Sequence, residues 1–295
     1  MIVVVAAPPF ATIQDLGRLG YRDAGVPPSG VADRESAVAL NALLGNDPNA
    51  AMIEWAVAGG VLRFDNDAVL AIAGAEAECY LAGRDVVPMH PFEVSAGGLL
   101  KISRIVRGRF LLIGIRGGID VPRVLGSRST LLSAGFGGME GRTLRNGDRL
   151  TVGDAAESVL TTPHDDAAPA VGGNVAVGAA ETAVIAVRRG PQDGLFDDAA
   201  WSTFLQTQFT IALASDRTGY RLNGAAFVHR GAASLPSEPT CVGAIQIPDG
   251  GAPIVIMQDG PTVGGYPKIA TIRSESLSRF AQLAPGDAVR FVLDE

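Results

Sequence analysis

The sequence predicts a mainly β fold with a few short helices, and three observations predict it. The 295 residues include 37 glycines and 18 prolines, a density that implies many turns and short elements. Between Ile53 and Val152 short apolar runs alternate with turn signals, among them Gly59-Gly60, Asp65-Asn66-Asp67, Ala82-Gly83-Arg84 and Gly97-Gly98. Aromatic residues are only 6% of the chain while Ala and Val abound, which suits small, tightly packed sheets. The length points to two domains or one large barrel.

Residues 2–5 are a continuous apolar run suited to a buried strand. A Gly/Pro-rich loop follows; residues 12–46 read TIQDLGRLGYRDAGVPPSGVADRESAVALNALLGN. Glycine and proline dictate the path of such a loop, so its charged and aromatic side chains are held at set angles. The second half predicts a helix. Asp33 is its N-cap, Ala37, Leu40 and Leu44 lie on its apolar face, and Gly45 and Pro48 stop it. Candidate strands then fall at 53–57, 60–64, 68–73, 78–81, 92–94, 99–102 and 109–115. Their spacing suggests a barrel or sandwich. Residues 116–142 form a second Gly-rich stretch, and LRNGDRLTV at 144–152 is a turn and a strand.

Residues 153–181 hold little pattern beyond VAVG at 175–178, a short-strand candidate, and read as a linker. They divide the chain into a first domain, 1–160, with the Gly/Pro loop and helix, and a second, 180–295. The second domain restarts with a strand at 182–187 and a helical pattern over 191–208. Strand patches follow at 209–214, 226–229, 244–247 and 254–258, with a short helix at 276–283. Two internal echoes stand out. LRNGDRLTV at 144–152 resembles LAPGDAVRF at 283–291, and Asp15…Gly20-Tyr21-Arg22 resembles Asp216…Gly219-Tyr220-Arg221.

Composition excludes several function classes. The net charge is −7 and there is no run of five basic residues, so nucleic acid is not an expected partner. No apolar run reaches the ~18 residues of a membrane helix. MIVVVAAPPF lacks a basic leader and reads as a first strand, which points to a cytoplasmic protein. Cys79 and Cys241 are then expected as free buried thiols. His90, His164 and His229 show no metal-ligand spacing, so no metal site is expected. Neither a G-x-S-x-G elbow nor a G-x-x-x-x-G-K-[ST] phosphate loop occurs.

What remains is an arginine, tyrosine and lysine set on four Gly-rich loops, at 14–35, 116–130, 215–221 and 264–268. Arginine grips carboxylates in bidentate fashion, which suits Arg18, Arg128, Arg217 and Arg221 to an anionic ligand. Tyr21, Tyr220 and Tyr266 are suited to orient a small planar ligand or hold a proton. Lys268, in the rigid GGYPK turn, is suited to stabilise an enolate or carbonyl oxygen. Asp15 and Asp216 serve either as bases or as partners of Arg18 and Arg217. The chemistry is that of a site for a small anionic or amide ligand.

The segments TIQDLGRLGYRDAGVPPSGVADRESAVALNALLGN, RGGIDVPRVLGSRST, SDRTGYRL and GGYPKIATI, in that order, resemble the biotin-dependent carboxyltransferase family. Its members include the C component of ATP-dependent 5-oxoprolinase, the second component of the allophanate hydrolase-like pair and the carboxyltransferase region of urea carboxylase. The resemblance implies two cyclophilin-like β-barrel domains and a cytoplasmic hetero-oligomer. For the 5-oxoprolinase members it implies ATP-driven opening of the 5-oxoproline lactam to glutamate, by this chain together with B-type (related barrel) and A-type partner proteins. The chain is then one component of an enzyme, inactive alone, in a complex that uses ATP. The biotinyl-lysine motif Met-Lys-Met is missing, since neither VVPMHP nor VIMQDG carries a lysine, so any biotin sits on another chain.

On this reading the four loops converge on one cleft. Asp15, Tyr21, Tyr266 and Lys268 are the catalytic candidates, while Gln14, Arg18, Arg128, Ser129, Asp216, Arg217, Tyr220 and Arg221 bind substrate. Two alternatives stand beside it. One is a regulatory binding protein that sequesters a partner protein, in the manner of related antagonists of a sporulation-kinase inhibitor. The other is a carboxyltransferase component that acts on urea or allophanate.

Overall fold

The computed structural model describes residues 1–155, 181–230 and 235–294. The linker stretch 156–180, with its candidate strand at 175–178, lies outside the described residues. The chain divides into two units, Met1–Arg18 with Ser29–Ala176 and Leu19–Pro28 with Val177–Glu295. The tip of the N-terminal loop therefore groups with the second unit, although both its flanks belong to the first. Both units are built on barrel-like sheets.

The first unit is a ten-stranded, nearly closed sheet. Along its main path run Phe10–Gln14, Met52–Ala56, Leu99–Ile115, Ala58–Phe64, Ile2–Ala6, Arg149–Val152 and Ile119–Asp120. Two strands are much longer than the sequence pattern suggests. Ala68–Leu81 and Leu99–Ile115 are continuous and pair with each other along their length. The pattern breaks at 74–77 and 103–108 because the ribbon carries bulges there, with register shifts between Gly74 and Ala77. The polar residues in the breaks are cross-strand partners: Arg104 meets Glu78 at 2.5 Å and Arg107 meets Glu76 at 2.8 Å. The strand Phe10–Gln14 lies inside what reads as loop.

Trp55, Phe64, Ile2 and Ile13 are fully buried in the core of this unit. Helix α1, Arg34–Leu43, covers one face of the sheet. Asp33 caps it as expected, accepting the Ser36 N–H at 3.1 Å. Ala37, Leu40 and Leu44 pack on Ala71, Ala73 and Leu112.

The second unit is a closed seven-stranded barrel. Its order is Ala183–Arg189, Lys268–Ile272, Ala244–Gln246, Ile254–Ile256, Gly219–Asn223, Phe209–Ile211 and Ala288–Leu293. Parallel pairing of the first and last strands closes it. Helix α2, Asp198–Gln206, is capped by Asp197 and buries Trp201 and Phe204. Phe204 stacks on Phe291 with centroids 5.0 Å apart. Helix α3 is Ser274–Ala281. Residues 226–229 carry no strand. Two of the expected loops run into barrel strands, 215–221 into Gly219–Asn223 and 264–268 into Lys268–Ile272.

The first echo is a true equivalence of structure. In each unit an Asp side chain accepts the N–H three residues before it, from Arg145 to Asp148 at 2.7 Å and from Ala284 to Asp287 at 2.8 Å. The glycine before each Asp donates to a neighbouring strand, Gly147 to Val4 at 2.7 Å and Gly286 to Ile211 at 2.8 Å. The same turn thus starts the last described strand of each unit. The second echo does not hold, because Tyr220 is a buried strand residue and Tyr21 a half-buried loop residue.

Candidate functional site

In the first unit the expected residues gather around Asp15, which is 2% exposed. One carboxylate oxygen accepts from Ser127 Oγ and Ser129 Oγ, each at 2.6 Å, and from the Gly17 N–H at 2.8 Å. The other accepts from the Arg128 N–H at 2.6 Å. Ser129 Oγ in turn accepts from the Asp15 N–H at 3.0 Å. Asp15 thus staples the 127–129 segment to the N-terminal loop. All four of its contacts are hydrogen bonds it accepts from the two loops. It does not pair with Arg18, whose buried guanidinium donates to the Ser129 carbonyl and lies over the Phe136 ring at 4.9 Å. Gln14 is fully buried and donates to Thr12 Oγ1 at 3.0 Å and the Thr130 carbonyl at 3.2 Å. Arg128 reaches back to Asp120 at 2.5 Å. These contacts assign the group to loop architecture.

The second unit holds a different cluster. Lys268 opens a barrel strand and its side chain is 4% exposed. Gly190 lets the preceding chain pass tightly over it, since a Cβ there would lie 2.1 Å from the Lys268 carbonyl. That passage delivers Gln192, whose Oε1 accepts the Lys268 backbone N–H at 3.1 Å. Lys268 Nζ meets Glu238 Oε1 at 2.5 Å, and Gln192 Nε2 donates to the same oxygen at 2.5 Å. The hydrogen bond from Lys268 holds the Glu238 carboxyl below its usual range, burial opposing it and Gln192 adding to it. The strand register skips Ile269, so Lys268 stands opposite Gln246. A buried ammonium, a carboxylate and two amides can polarise a carbonyl and orient an amide.

The carboxyltransferase domain family, subdomains A and B, matches residues 24–293. The chain belongs to this family. It is 33% identical over 292 residues to the C component of 5-oxoprolinase from Escherichia coli, covering 99% of this chain and 91% of that protein. It is 34% identical over 297 residues to urea amidolyase of Saccharomyces cerevisiae, covering 95% of this chain but 16% of that protein. The crystal structure of the K. lactis urea amidolyase aligns with a TM-score of 0.87 at 30% identity, over 100% of this chain and 19% of that one.

Within this carboxyltransferase-family chain the remaining candidates scatter. Tyr220 is fully buried and its hydroxyl donates to the Ala281 carbonyl at 2.7 Å, so it is a core residue. Arg217 pairs with Asp259, at 2.8 and 3.0 Å, and not with Asp216. Asp216 is exposed and accepts the Thr218 N–H at 2.7 Å within its own turn. Arg221 is exposed on its strand. Tyr266, 40% exposed, lies two residues before Lys268. Tyr21 is half-buried in the segment that belongs to the second unit, and its neighbour Arg22 donates to the Thr240 carbonyl. Cys79 is buried as expected, but Cys241 is exposed.

Sequence reasoning missed Glu238, Gln192, Gln246 and Asp259. Gln192 sits in a turn after Pro191 and Glu238 opens the two-residue strand Glu238–Pro239, but in the sequence both look like ordinary solvated loop. Gln246 carried a signal: it is a lone polar residue inside the apolar run Ala244-Ile245-Gln246-Ile247. Among the described residues no group of three or more His, Cys, Asp or Glu is arranged to hold a metal. No described helix is long and apolar enough to cross a membrane.

Proposed function

We propose that this chain is the C-type component of an ATP-dependent 5-oxoprolinase complex. The complex would add water across the lactam C–N bond of 5-oxoproline to give glutamate, coupled to ATP hydrolysis. The observation that carries this reading is end-to-end similarity: the match to the C component of 5-oxoprolinase spans nine tenths or more of both chains. The urea amidolyases match with similar identity, but this chain spans only 16% of them. The A-type and B-type components are the proposed partners. ATP enters through the complex, as does biotin if it is used. In this chain Lys268 is the proposed catalytic residue, donating to the lactam carbonyl oxygen as charge builds there.

The test is reconstitution with the A-type and B-type components. Conversion of 5-oxoproline to glutamate should require ATP and all three chains. Lys268→Met should lower turnover at least about 100-fold, the scale set by losing one oxyanion donor. Urea and allophanate serve as parallel substrates. Turnover of either in place of 5-oxoproline would refute the lactam assignment. No turnover on any lactam or amide would refute the enzyme reading and favour a regulatory binding protein.

A further inference from the structure

Gln246 is 4% exposed, and among the described residues its Nε2 meets no acceptor. A buried amide donor left unpaired is costly, and at a polar cluster it points to a missing partner. Three observations locate that partner. The register sets Gln246 opposite Lys268, so the two side chains share one side of the strand pair. In the neighbouring two-stranded ribbon Glu238 stands opposite Gly264. A Cβ at Gly264 would lie 2.7 Å from Gln246 Nε2, so only glycine lets the ribbon lie this close to that donor. Glu238 projects on the side of the ribbon where Gly264 meets Gln246.

The donor and acceptor pattern around Gln246 is specific. Gln246 Nε2 donates, and Lys268 Nζ has three protons of which the Glu238 contact engages one. Glu238 receives Lys268 and Gln192 on Oε1, and among the described residues its Oε2 remains an acceptor. Thr240 Oγ1, 5% exposed, has no partner among the described residues and lies two residues after Glu238, just past the ribbon. A free carboxylate ligand would satisfy the donors but would set its second oxygen against Glu238. A cis amide satisfies both, because it carries a C=O and an N–H side by side.

We infer that Gln246, Lys268 and Glu238 read the cis amide of a small ligand, with Gln246 Nε2 and Lys268 Nζ donating to its carbonyl oxygen and Glu238 Oε2 accepting its N–H. The inference deepens the lactam reading above and takes its ligand class from it. Ring opening destroys the cis amide and creates a second carboxylate, so the same three side chains that hold the lactam disfavour its product. Gln246 and Glu238 are then specificity-determining residues that the sequence does not mark.

The experiment is a binding titration on the full chain and on the reconstituted complex. The probes are 2-pyrrolidinone, urea, N-methylpyrrolidinone and glutamate. The first two should bind. N-methylpyrrolidinone, lacking the N–H, should bind about 10-fold more weakly, one hydrogen bond's worth. Glutamate should bind no better than N-methylpyrrolidinone. Gln246→Met and Gly264→Ala should each weaken 2-pyrrolidinone about 10-fold, the second by pushing the Gln246 amide out of place. Gly264→Ala keeps the test open should the core substitution fail to fold. Equal binding of the N-methyl compound, preferential binding of glutamate, unaltered affinity in both variants, or no lactam binding by either preparation would overturn the inference. Amide binding without ATP-dependent 5-oxoproline turnover would refute the proposed function and leave this site standing. Turnover indifferent to Gln246 and Gly264 would do the reverse.

Discussion

Asp15→Asn separates a structural aspartate from a catalytic one. The side chain is 2% exposed and receives four hydrogen bonds, two from serine hydroxyls and two from backbone N–H groups. Asparagine keeps one oxygen, which can still accept from Ser127, Ser129 and Gly17. Its Nδ2 then faces the Arg128 N–H, donor against donor. Hydrogen bonds to a charged acceptor are worth about 1 kcal/mol more than neutral ones, and an orphaned buried N–H costs about 1–3 kcal/mol. Relief from burying the charge offsets part of that sum. The expected net loss is about 2–4 kcal/mol, and each kcal/mol lowers the melting temperature of a domain this size by about 2–4 °C. The assay is thermal unfolding together with hydrogen exchange at Gly17 and Arg128, which should lose protection. An unchanged melting temperature with lost turnover in the complex would show that Asp15 acts chemically, and the structural assignment would be wrong.

Three further outcomes follow from the geometry. Arg217→Ala should destabilise by about 3–5 kcal/mol, because it strands the Asp259 carboxylate at a side-chain exposure of 6%, and Asp259→Ala should cost less. The double variant should recover part of that loss, and a coupling near zero in the cycle would refute a structural pair. Glu238 has its carboxyl held low by Lys268, so its contribution is present above the unfolded carboxylate value of about 4.3 and is lost as pH falls through the lower folded value. With its side chain 39% exposed, that contribution is screened to about 1 kcal/mol or less. Glu238→Gln should flatten this acid limb of the unfolding titration, and an identical limb would contradict the pairing. Burial pushes the Cys79 thiol up to about 12, whereas Cys241 is exposed. A thiol-disulfide reagent at pH 8 should therefore label one cysteine quickly and the second only on unfolding; two fast thiols would refute the buried position of Cys79.

Much of the fold was legible in local signals. The Asp33 cap and the stop after Leu44 both act within a few residues, and both are where the sequence puts them. The Gly-Asp turns at 147–148 and 286–287 close their own hydrogen bonds over three residues, so their likeness in sequence became likeness in structure. The long ribbon was not legible. Its charged stretches Glu76–Glu78 and Arg104–Arg107 look like turns until the partner strand supplies the opposite charge. The strand Phe10–Gln14 was hidden for a similar reason, since burial of Thr12, Gln14 and Asp15 depends on cover from residues 127–130.

The candidate site divides along the same line. Lys268 was marked by its rigid turn, but its partners Glu238 and Gln192 are 30 and 76 residues away. Arg217 was marked as a carboxylate holder, and it does hold one, that of Asp259, 42 residues on. By itself the sequence determined the β class, the helix ends, the paired turns and the resemblance to the carboxyltransferase family, because short-range backbone chemistry and residue order carry that information. Only the tertiary structure decided which charged groups pair with which. That choice depends on strand register and burial, which no span of neighbouring residues contains.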